Sequence, residues 1–342
     1  MEIYHLTKRM SHHSLHSGYD QLSKHMDCRI VMPNFYHRIL NCCPERVLAQ
    51  IRRSAGSWYN SDNLKGELQN IPDFFLKSNR IYHFLYGDDL FHYSGYLNPR
   101  RSNRLIATFH LPSEKFLRVT PTTQHLKKLA AIIIVAPNQA SLFKDIAGSE
   151  KVHLVPHGID TKFFRPLKIS KPGKRCIFAG THLRDFEMLK KVIEEINRKD
   201  PAVCFDIVTF KKNCTGFNKL KNVKFHFSIT EEKLITLYNQ ADLLLMPVID
   251  STANNSLLEA MACGIPAVTT KSEGLRHYTD SKSSFMVERN ESTKMADSAL
   301  EIMSSPKRKE SMSTAARKKA LQFDWEHVAA QTLKVYHKVL AG

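Results

Sequence analysis

The sequence predicts an α/β protein with two doubly wound, Rossmann-like domains, and three observations lead to that prediction. The chain has 342 residues, more than the roughly 250 to 300 that a single hydrophobic core organises. Short β-branched runs alternate with helical patterns, as in parallel sheets with helical crossovers. The segment 164–173 contains two prolines and a glycine, which is typical of a linker. We therefore expect one domain over residues 1–165 and a second over 166–324.

The first half of the chain shows the alternation less clearly than the second. Residues 54–77 have no steady period, and residues 91–104 are expected to form a loop. The expected strands are 2–7, 28–32, 80–85, 104–109, 130–136 and 152–155, with helices near 18–26, 45–54 and 138–146.

The second half alternates regularly, which predicts a parallel sheet. A helix over 185–198 has apolar residues three and four apart, and Thr230 precedes two glutamates as a helix cap does. A further helix is expected to begin with a cap at Asn254 or Ser256 and to end at Gly264. The expected strands are 174–179, 203–210, 222–227 and 242–247.

Composition excludes several classes of protein. The apolar fraction is 42% and no apolar run approaches the ~18 residues of a membrane-spanning helix. The N-terminus lacks a signal-peptide pattern, and seven cysteines without a Cys-x-x-Cys pair indicate reduced thiols. We therefore expect a cytoplasmic protein. Its net charge of +17 favours anionic partners such as nucleic acid, anionic lipid or phosphorylated substrates.

The loop after the fourth strand of the second half is the first candidate for chemistry, because ligands of parallel sheets bind beyond the carboxyl ends of the strands. Asn254 or Ser256 caps the following helix, whose N-terminal amides can hold a phosphate group. Glu259 lies one turn inside, within reach of hydroxyls on whatever carries that phosphate. An ordinary strand–helix–strand unit without a ligand is the alternative interpretation.

The second candidate loop runs from Gly180 to Asp185, after the first strand of the second half. A guanidinium at Arg184 can pair two phosphate oxygens. Lys211 and Lys212 follow the next strand and are the second cationic candidates, although a solvated surface pair is the simpler explanation of them.

Two absences and one histidine group bear on metals and cofactors. There is no Asp-x-Asp pair to hold a diphosphate through a metal ion, and no Gly-x-Gly-x-x-Gly after the first strand, which argues against a dehydrogenase. His12, His13 and His16 have a spacing that could bind a metal on a helix, but the serines among them favour a loop. We expect no metal and no cofactor.

Residues 242–270 resemble the C-terminal signature of family 4 (group 1) glycosyltransferases, which are retaining enzymes of the GT-B architecture. That signature is an apolar strand, a proline, a glutamate, a polar loop and a Leu-Glu-Ala-Met-Ala-x-Gly-x-Pro segment, here ending at Pro266. Residues 155–160, 176–180 and 323–325 resemble other family segments, and the resemblance is weak before residue 150.

The resemblance implies two Rossmann-like domains that face each other across a cleft, with an acceptor on the N-terminal domain and a nucleotide-sugar donor mainly on the C-terminal one. Residues 325–342 would form a closing helix that packs back on the N-terminal domain. Glu259 corresponds to the signature glutamate that holds the ribose hydroxyls. The other signature glutamate falls on Ser251, with Asp250 as the nearest acid. Donor contacts are also implied for Asn254, Asn255, Ser256 and Lys211.

Four residues outside the signature segment acquire roles from the resemblance. Gly18 follows the first strand where the family brings its backbone close to the donor diphosphate, and Gly180 ends the strand that enters the second domain. His110 matches a family histidine that faces the donor sugar, and Arg184 would neutralise the leaving diphosphate. His110 and Arg184 are therefore the expected catalytic residues of a metal-independent hexosyltransferase that acts on a glycan, a lipid-linked glycan or another hydroxyl acceptor.

Other functions remain open at the level of sequence. A GT-B epimerase or phosphorylase would share the fold. A nucleic-acid-binding protein is supported by charge alone, since no helix-turn-helix, zinc or RNA-sheet signature is present. Basic and aromatic residues in the first half could also dock on the inner face of an anionic membrane.

Overall fold

The protein is described from a computed structural model, which covers residues 2–8, 15–32, 45–100, 102–217, 220 and 222–341. His12 and His13 lie outside the described residues. The chain divides into two compact units. Among the described residues, unit 1 contains 2–8, 18–158 and 325–341, and unit 2 contains 15–17 and 159–324.

The division after Gly158 differs from the boundary expected at residue 165, because the preceding turn and the expected linker are built into unit 2. Phe164 is fully buried in the core of that unit. Arg317 donates to the carbonyl oxygens of Phe164 at 2.9 Å and Thr161 at 3.1 Å. The amide of Leu167 donates to Asn239 Oδ1 at 2.7 Å. Prolines in the segment 164–173 therefore mark an irregular stretch of unit 2 rather than a linker.

Unit 1 contains a six-stranded sheet in the order β2-β1-β3-β4-β5-β6, in which every neighbouring pair is parallel. The apolar run over residues 129–136, which precedes Pro137, supplies β5, whose four residues are all buried. The strands are β1 (Glu2–Leu6), β2 (Arg29–Val31), β3 (Arg80–Phe84), β4 (Arg104–Phe109), β5 (Ala131–Ile134) and β6 (Val152–Leu154).

The helices of unit 1 include several that the sequence did not predict. Residues 54–77, which lack a steady period, contain two helices, and the expected loop 91–104 contains a short one. A 3-10 helix, Tyr19–His25, stands where a helix was expected after β1, and another covers Gln124–Lys128. The α-helices are α1 (Glu45–Ala55), α2 (Ser61–Leu68), α3 (Ile71–Leu76), α4 (Gly87–Leu90), α5 (Ser94–Leu97), α6 (Ser113–Val119) and α7 (Ala140–Ala147), with α14 (Trp325–Ala341) from the end of the chain.

Unit 2 contains a second six-stranded sheet in the order β12-β11-β10-β7-β8-β9, again parallel throughout. Two clusters of buried apolar residues cover it, as expected for a sheet buried on both faces. Its strands are β7 (Arg175–Ala179), β8 (Cys204–Val208), β9 (Val223–His226), β10 (Leu243–Met246), β11 (Ala267–Thr270) and β12 (Ser284–Val287). Its helices are α8 (Phe186–Lys199), α9 (Glu231–Gln240), α10 (Asn255–Ala262), α11 (Glu273–Tyr278), α12 (Ser292–Ser304) and α13 (Pro306–Leu321).

The strand order of each unit contains one point at which the winding reverses, and ligands of such sheets bind there. In unit 1 this point lies between β1 and β3, and in unit 2 between β7 and β10. The loop that contains Gly180 follows β7, and the loop that leads to Asn254 follows β10. Topology alone therefore brings the two candidate loops of unit 2 to the same place.

Candidate functional site

The loops after β7 and β10 are joined by backbone hydrogen bonds. The amide of Asp185 donates to Pro247 O at 3.1 Å, and the amide of Ile249 donates to Leu183 O at 2.9 Å. Asn254 caps α10, because its Oδ1 accepts from the amide of Leu257 at 3.2 Å. The two candidate loops therefore form one rigid platform at the N-terminus of α10.

Gly180 allows the first loop to turn tightly against Arg184. Its φ of +112° is in the region that favours glycine, and a Cβ atom there would lie 2.5 Å from Arg184 Nη2. The amide of Gly180 donates to Val208 O at 3.0 Å, and its carbonyl accepts from Thr209 Oγ1 at the same distance. Any larger residue at position 180 would displace the guanidinium.

Arg184 is held by four hydrogen bonds across the platform. Its Nε donates to Ala179 O at 3.0 Å and its Nη1 to His182 O at 3.2 Å. Its Nη2 donates to Asn254 Oδ1 at 3.0 Å and to Ser256 Oγ at 3.3 Å. The structure thus brings together three of the predicted site residues, Arg184, Asn254 and Ser256.

The position of this guanidinium is electrostatically unusual. The N-terminus of a helix carries a partial positive charge, so a cation there is unfavourable unless an anion joins it. Burial lowers the pKa of Arg184 to about 10, while Tyr238 and Glu259 act to raise it. A phosphate group bound here would be stabilised by both the guanidinium and the first-turn amides of α10, which have no acceptor within the helix itself.

Glu259 lies one turn further along α10 and is almost fully buried. Tyr238 Oη donates to its Oε2 at 2.9 Å. Burial raises the pKa of Glu259 to about 7, although the hydrogen bond from Tyr238 and the charge of Arg184 both act to lower it. The carboxylate is therefore a buried acceptor that titrates near neutral pH, which is typical of functional sites.

Tyr238 is a site residue that sequence reasoning missed. It is fully buried on α9, the helix that precedes β10. The available signal was a tyrosine within an otherwise amphipathic helix, and such a residue is ordinarily taken as core.

Asn255 and Lys211 are not among the residues that form hydrogen bonds with Arg184 or Glu259 in this platform. Asn255 is the first residue of α10 and is half-buried. Lys211 and Lys212 are exposed on the 3-10 helix Lys211–Cys214 after β8, and Lys212 Nζ lies 5.9 Å from the centre of the Phe210 ring. The lysines lie at the same edge of the sheet as Gly180. Thr209, two residues before Lys211, donates a hydrogen bond to the carbonyl oxygen of Gly180.

Asp250 and Ser251 turn toward the loop after β11. Asp250 Oδ1 accepts from the amide of Ser251 at 2.7 Å and from Ser272 Oγ at 3.5 Å. Ser272 Oγ also donates to Ser251 O at 3.1 Å. Gly274 makes this approach possible, since a Cβ atom there would lie 2.2 Å from Ser251 O. A contact of Asp250 or Ser251 with the donor sugar stays a prediction.

In unit 1 the structure places Gly18 and His110 near one another. Gly18 has a φ of +102° and precedes the 3-10 helix that begins at Tyr19. The Tyr19 ring lies 4.8 Å from the His110 ring, and the Tyr19 amide donates to Tyr86 Oη at 2.9 Å. His110 Nε2 donates to Leu85 O at 2.8 Å, which fixes the ring. The roles of Gly18 and His110 in binding and catalysis stay predictions.

Asp88 is a second residue that the sequence analysis did not identify. It accepts from the backbone amide of His110 at 2.6 Å, so it fixes the chain at the end of β4. Burial raises the pKa of Asp88 to about 7, and the nearby charge of Asp89 adds to that effect. The adjacent aspartates after β3 were the available signal.

His16 takes part in an ion-pair contact rather than a metal cluster. Its Nδ1 lies 2.6 Å from Asp160 Oδ2, and its ring stacks on Phe163 at 3.8 Å. Across the described ranges, no group of three His, Cys, Asp or Glu side chains could hold a metal ion. Metal independence remains a prediction.

No helix within the described part of the chain is long and apolar enough to cross a membrane. Residues 162–319 match the family model described as glycosyl transferases group 1. This range contains Gly180, Arg184, Asn254 and Glu259.

Curated proteins that are similar to this chain are also named as glycosyltransferases. The chain is 31% identical over 214 residues to a D-inositol 3-phosphate glycosyltransferase of Arthrobacter sp.. This match covers 56% of this chain and 51% of that protein. It is 25% identical over 230 residues to an MMP alpha-(1->4)-mannosyltransferase of Mycolicibacterium hassiacum, covering 63% and 56%. The chain thus spans about half the length of the curated relatives it matches.

Solved structures support the fold over the whole chain. HepE from Anabaena, in complex with UDP-glucose, has a TM-score of 0.70 at 13% identity and covers 100% of both chains. A glycosyltransferase from Rickettsia africae has a TM-score of 0.67 at 13% identity, covering 99% of this chain and 98% of that one. The two parallel sheets and these solved structures show that the chain has the GT-B fold that its sequence predicts, and residues 162–319 are similar to the glycosyl transferases group 1.

Proposed function

We propose that this protein is a retaining glycosyltransferase that moves a sugar from a nucleotide-sugar donor to a hydroxyl group of a glycan, a lipid-linked glycan or another acceptor. The single observation that carries the proposal is the Arg184 guanidinium bonded to Asn254 and Ser256 at the N-terminus of α10. A half-buried cation at the positive end of a helix favours an anionic ligand. The family match supports the identity of that ligand as a nucleoside diphosphate.

Glu259 supplies the second half of a donor site. Its carboxylate lies one turn from the phosphate-binding position and can accept hydrogen bonds from two neighbouring hydroxyls, as the ribose of a nucleotide presents them. The N-terminus of α10 would therefore bind the phosphates, and Glu259, one turn further along the helix, would bind the ribose. The two groups follow one another in the same order in a nucleoside diphosphate.

The transfer breaks the bond between the anomeric carbon and the diphosphate oxygen and forms a bond from the same carbon to the acceptor oxygen on the same face of the sugar. The acceptor hydroxyl proton passes to an oxygen of the departing diphosphate. Arg184 and the amides of α10 stabilise the charge that develops on that oxygen. Glu259, engaged by Tyr238, binds ribose rather than attacking the sugar.

Two observations favour an acceptor that carries a phosphate group. One relative is named for D-inositol 3-phosphate, an acceptor that carries a phosphate group, and the net charge of +17 here suits an anionic acceptor. Among possible donors, uridine nucleotides come first because HepE was solved with UDP-glucose.

The test has two stages. Nucleotide sugars and nucleoside diphosphates are screened for an increase in melting temperature, because a bound ligand stabilises the folded state by mass action. Those that bind are then incubated with glycan and phosphorylated polyol acceptors, and the anomeric configuration of the product is read by NMR in excess EDTA.

A product with the anomeric configuration of the donor, formed in EDTA, is the expected result. An inverted product would overturn the retaining assignment, and activity that returns only with magnesium or manganese would overturn metal independence. Consumption of free phosphate, or turnover of the donor without any acceptor, would instead assign the protein as a phosphorylase or an epimerase.

A further inference from the structure

A separate surface of unit 1 combines exposed apolar side chains with basic ones. It is formed by three segments that pack against one another in series: α3 with the following Lys77, residues 94–100 including α5, and the 3-10 helix Gln124–Lys128. We call these three segments the amphipathic surface. It contains none of the predicted site residues.

Three large apolar or aromatic side chains of the amphipathic surface are exposed. Leu76 is 79% exposed to solvent, Tyr96 is 56% exposed and Phe75 is 53% exposed. Single exposed apolar residues are normal on a protein surface, whereas neighbouring ones mark interaction sites. Leu76 and Phe75 end α3, and Tyr96 lies on α5, which packs directly against that helix.

Basic side chains surround these apolar ones. Arg100 Nε donates to Phe75 O at 2.7 Å, and Lys128 Nζ lies 5.5 Å from the centre of the Tyr96 ring. Lys127 is exposed beside Lys128. Asp73, the acid within these segments, is paired with Lys77 at 2.7 Å. Asp73 offsets the charge of Lys77, and these segments contain no second acid to offset Arg100, Lys127 and Lys128. The amphipathic surface therefore has a net positive charge.

We propose that the amphipathic surface docks the protein on a bilayer containing anionic lipids. Phe75, Leu76 and Tyr96 would enter the interface between headgroups and acyl chains, where aromatic and apolar side chains are stable. Arg100, Lys127 and Lys128 would contact the anionic headgroups. This proposal is independent of the nucleotide-sugar chemistry of unit 2.

The combination favours a membrane over nucleic acid. A duplex would be bound through the lysines and Arg100, but it offers no environment in which an exposed leucine gains from burial. A bilayer offers both an anionic layer and an apolar layer directly beneath it. The net charge of +17 over the chain strengthens attraction to an anionic leaflet in the same way.

The experiment is flotation of the full chain with vesicles of phosphatidylcholine alone and with vesicles containing about one third phosphatidylglycerol. We expect flotation with the anionic vesicles only, and weaker flotation at high salt. Leu76→Ser should lower partitioning by about tenfold. Lys127→Ala with Lys128→Ala should lower it by about fivefold for each charge removed.

Matched controls come from exposed residues of unit 2. Leu321→Ser removes a leucine that is 41% exposed, and Lys307→Ala with Lys318→Ala removes two exposed lysines. These variants should float like the wild type. All variants should keep the wild-type melting temperature and nucleotide affinity, which separates this test from that of the proposed function.

Several results would overturn the docking proposal. These are absence of flotation, equal flotation with neutral vesicles, and equal losses in the control variants. Normal flotation of Leu76→Ser would also overturn it, because binding would then be purely electrostatic. Binding to random duplex DNA that is lost in the Lys127→Ala, Lys128→Ala variant, without flotation of the wild type, would assign the surface to nucleic acid instead.

Discussion

Tyr238 Oη donates a hydrogen bond of 2.9 Å to Glu259 Oε2, and both side chains are buried in unit 2. The tyrosine belongs to α9 and the glutamate to α10. Glu259 is thus oriented by a residue that stands outside the signature segment 242–270. Because a hydrogen bond to the ionised form favours ionisation, Tyr238 keeps this buried carboxyl from titrating at still higher pH.

Tyr238→Phe is expected to shift the pH dependence of nucleotide binding. Loss of the hydroxyl raises the pKa of Glu259 above its value of about 7, so the carboxylate forms only at higher pH. Affinity for a nucleoside diphosphate, measured by calorimetry between about pH 6 and 9, should therefore rise with a midpoint displaced toward alkaline pH. Tyr278→Phe, at another fully buried tyrosine of unit 2, is the control. An unchanged midpoint in Tyr238→Phe would mean that Tyr238 does not position Glu259.

Glu259→Gln is expected to change how stability depends on pH. The pKa of Glu259 in the folded protein, about 7, lies above the ordinary value of 4.5, so the folded state holds the proton more tightly than the unfolded state. Folding stability therefore falls as pH rises from about 4.5 to 7, by on the order of 3 kcal/mol. Glutamine lacks this titration, so the variant should gain stability relative to the wild type across that window.

Urea unfolding at several pH values measures this difference, with Glu187→Gln at an exposed position of α8 as the control. A gain in stability on removing a buried charge is the signature of a residue kept for function. Parallel stability curves for wild type and Glu259→Gln would show that burial does not shift the titration of this carboxyl.

The fold was largely predictable because its signals are local. Strand β10 is a fully apolar run, Thr230 accepts from the amide of Lys233 as an N-cap at 3.3 Å, and Gly264 has a φ of +74° after α10. Each follows from residue type within a few positions. Local signals are insufficient where tertiary contacts decide the structure. Helix α2 has a weak apolar period of its own, and its Glu67 is fully buried and accepts from the backbone amides of residues 92 to 94.

The site was predicted in part for the same reason. Asn254 and Glu259 were identified from motif positions that lie close together in the chain, and Arg184 from its place in the loop that follows β7. The contact of Glu259 with Tyr238 and that of Asp88 with the His110 amide join residues 21 and 22 positions apart. Such contacts depend on how helices and strands pack, which neither periodicity nor a motif specifies. A tyrosine and an aspartate are common residue types, so the sequence alone did not indicate the contacts of Tyr238 and Asp88.

Arg184→Ala is expected to lower turnover more than it raises the Michaelis constant for the donor, because charge on the leaving group develops in the transition state. It should also lower the melting temperature, since four hydrogen bonds of the platform are lost. Arg184→Lys should restore part of the activity, because lysine keeps the charge and loses the planar fork. Steady-state kinetics decide this, and wild-type turnover in a folded Arg184→Ala would move the role to Lys211 or Lys212.

Asp250→Ala is expected to alter the preference among donor sugars while leaving affinity for the nucleoside diphosphate nearly unchanged. Asp250 is the acid nearest to the position of the missing signature glutamate, and its carboxylate already accepts from Ser272 Oγ. Ser251 offers one hydroxyl, which donates to Thr252 O at 3.5 Å. Comparing Asp250→Ala and Ser251→Ala across a donor panel is the measurement. Identical sugar preference in both variants and the wild type would mean that neither residue reads the sugar.

Calorimetric titration of the wild type and Glu259→Gln with the nucleoside diphosphate that stabilises the protein best decides whether unit 2 holds the donor site. If the N-terminus of α10 binds the diphosphate and Glu259 binds the ribose, the variant should lose about 1.5 to 3 kcal/mol of binding free energy, or roughly ten- to a hundredfold in affinity. Glu187→Gln should bind like the wild type. Unchanged affinity in a folded Glu259→Gln variant would contradict the proposed donor site.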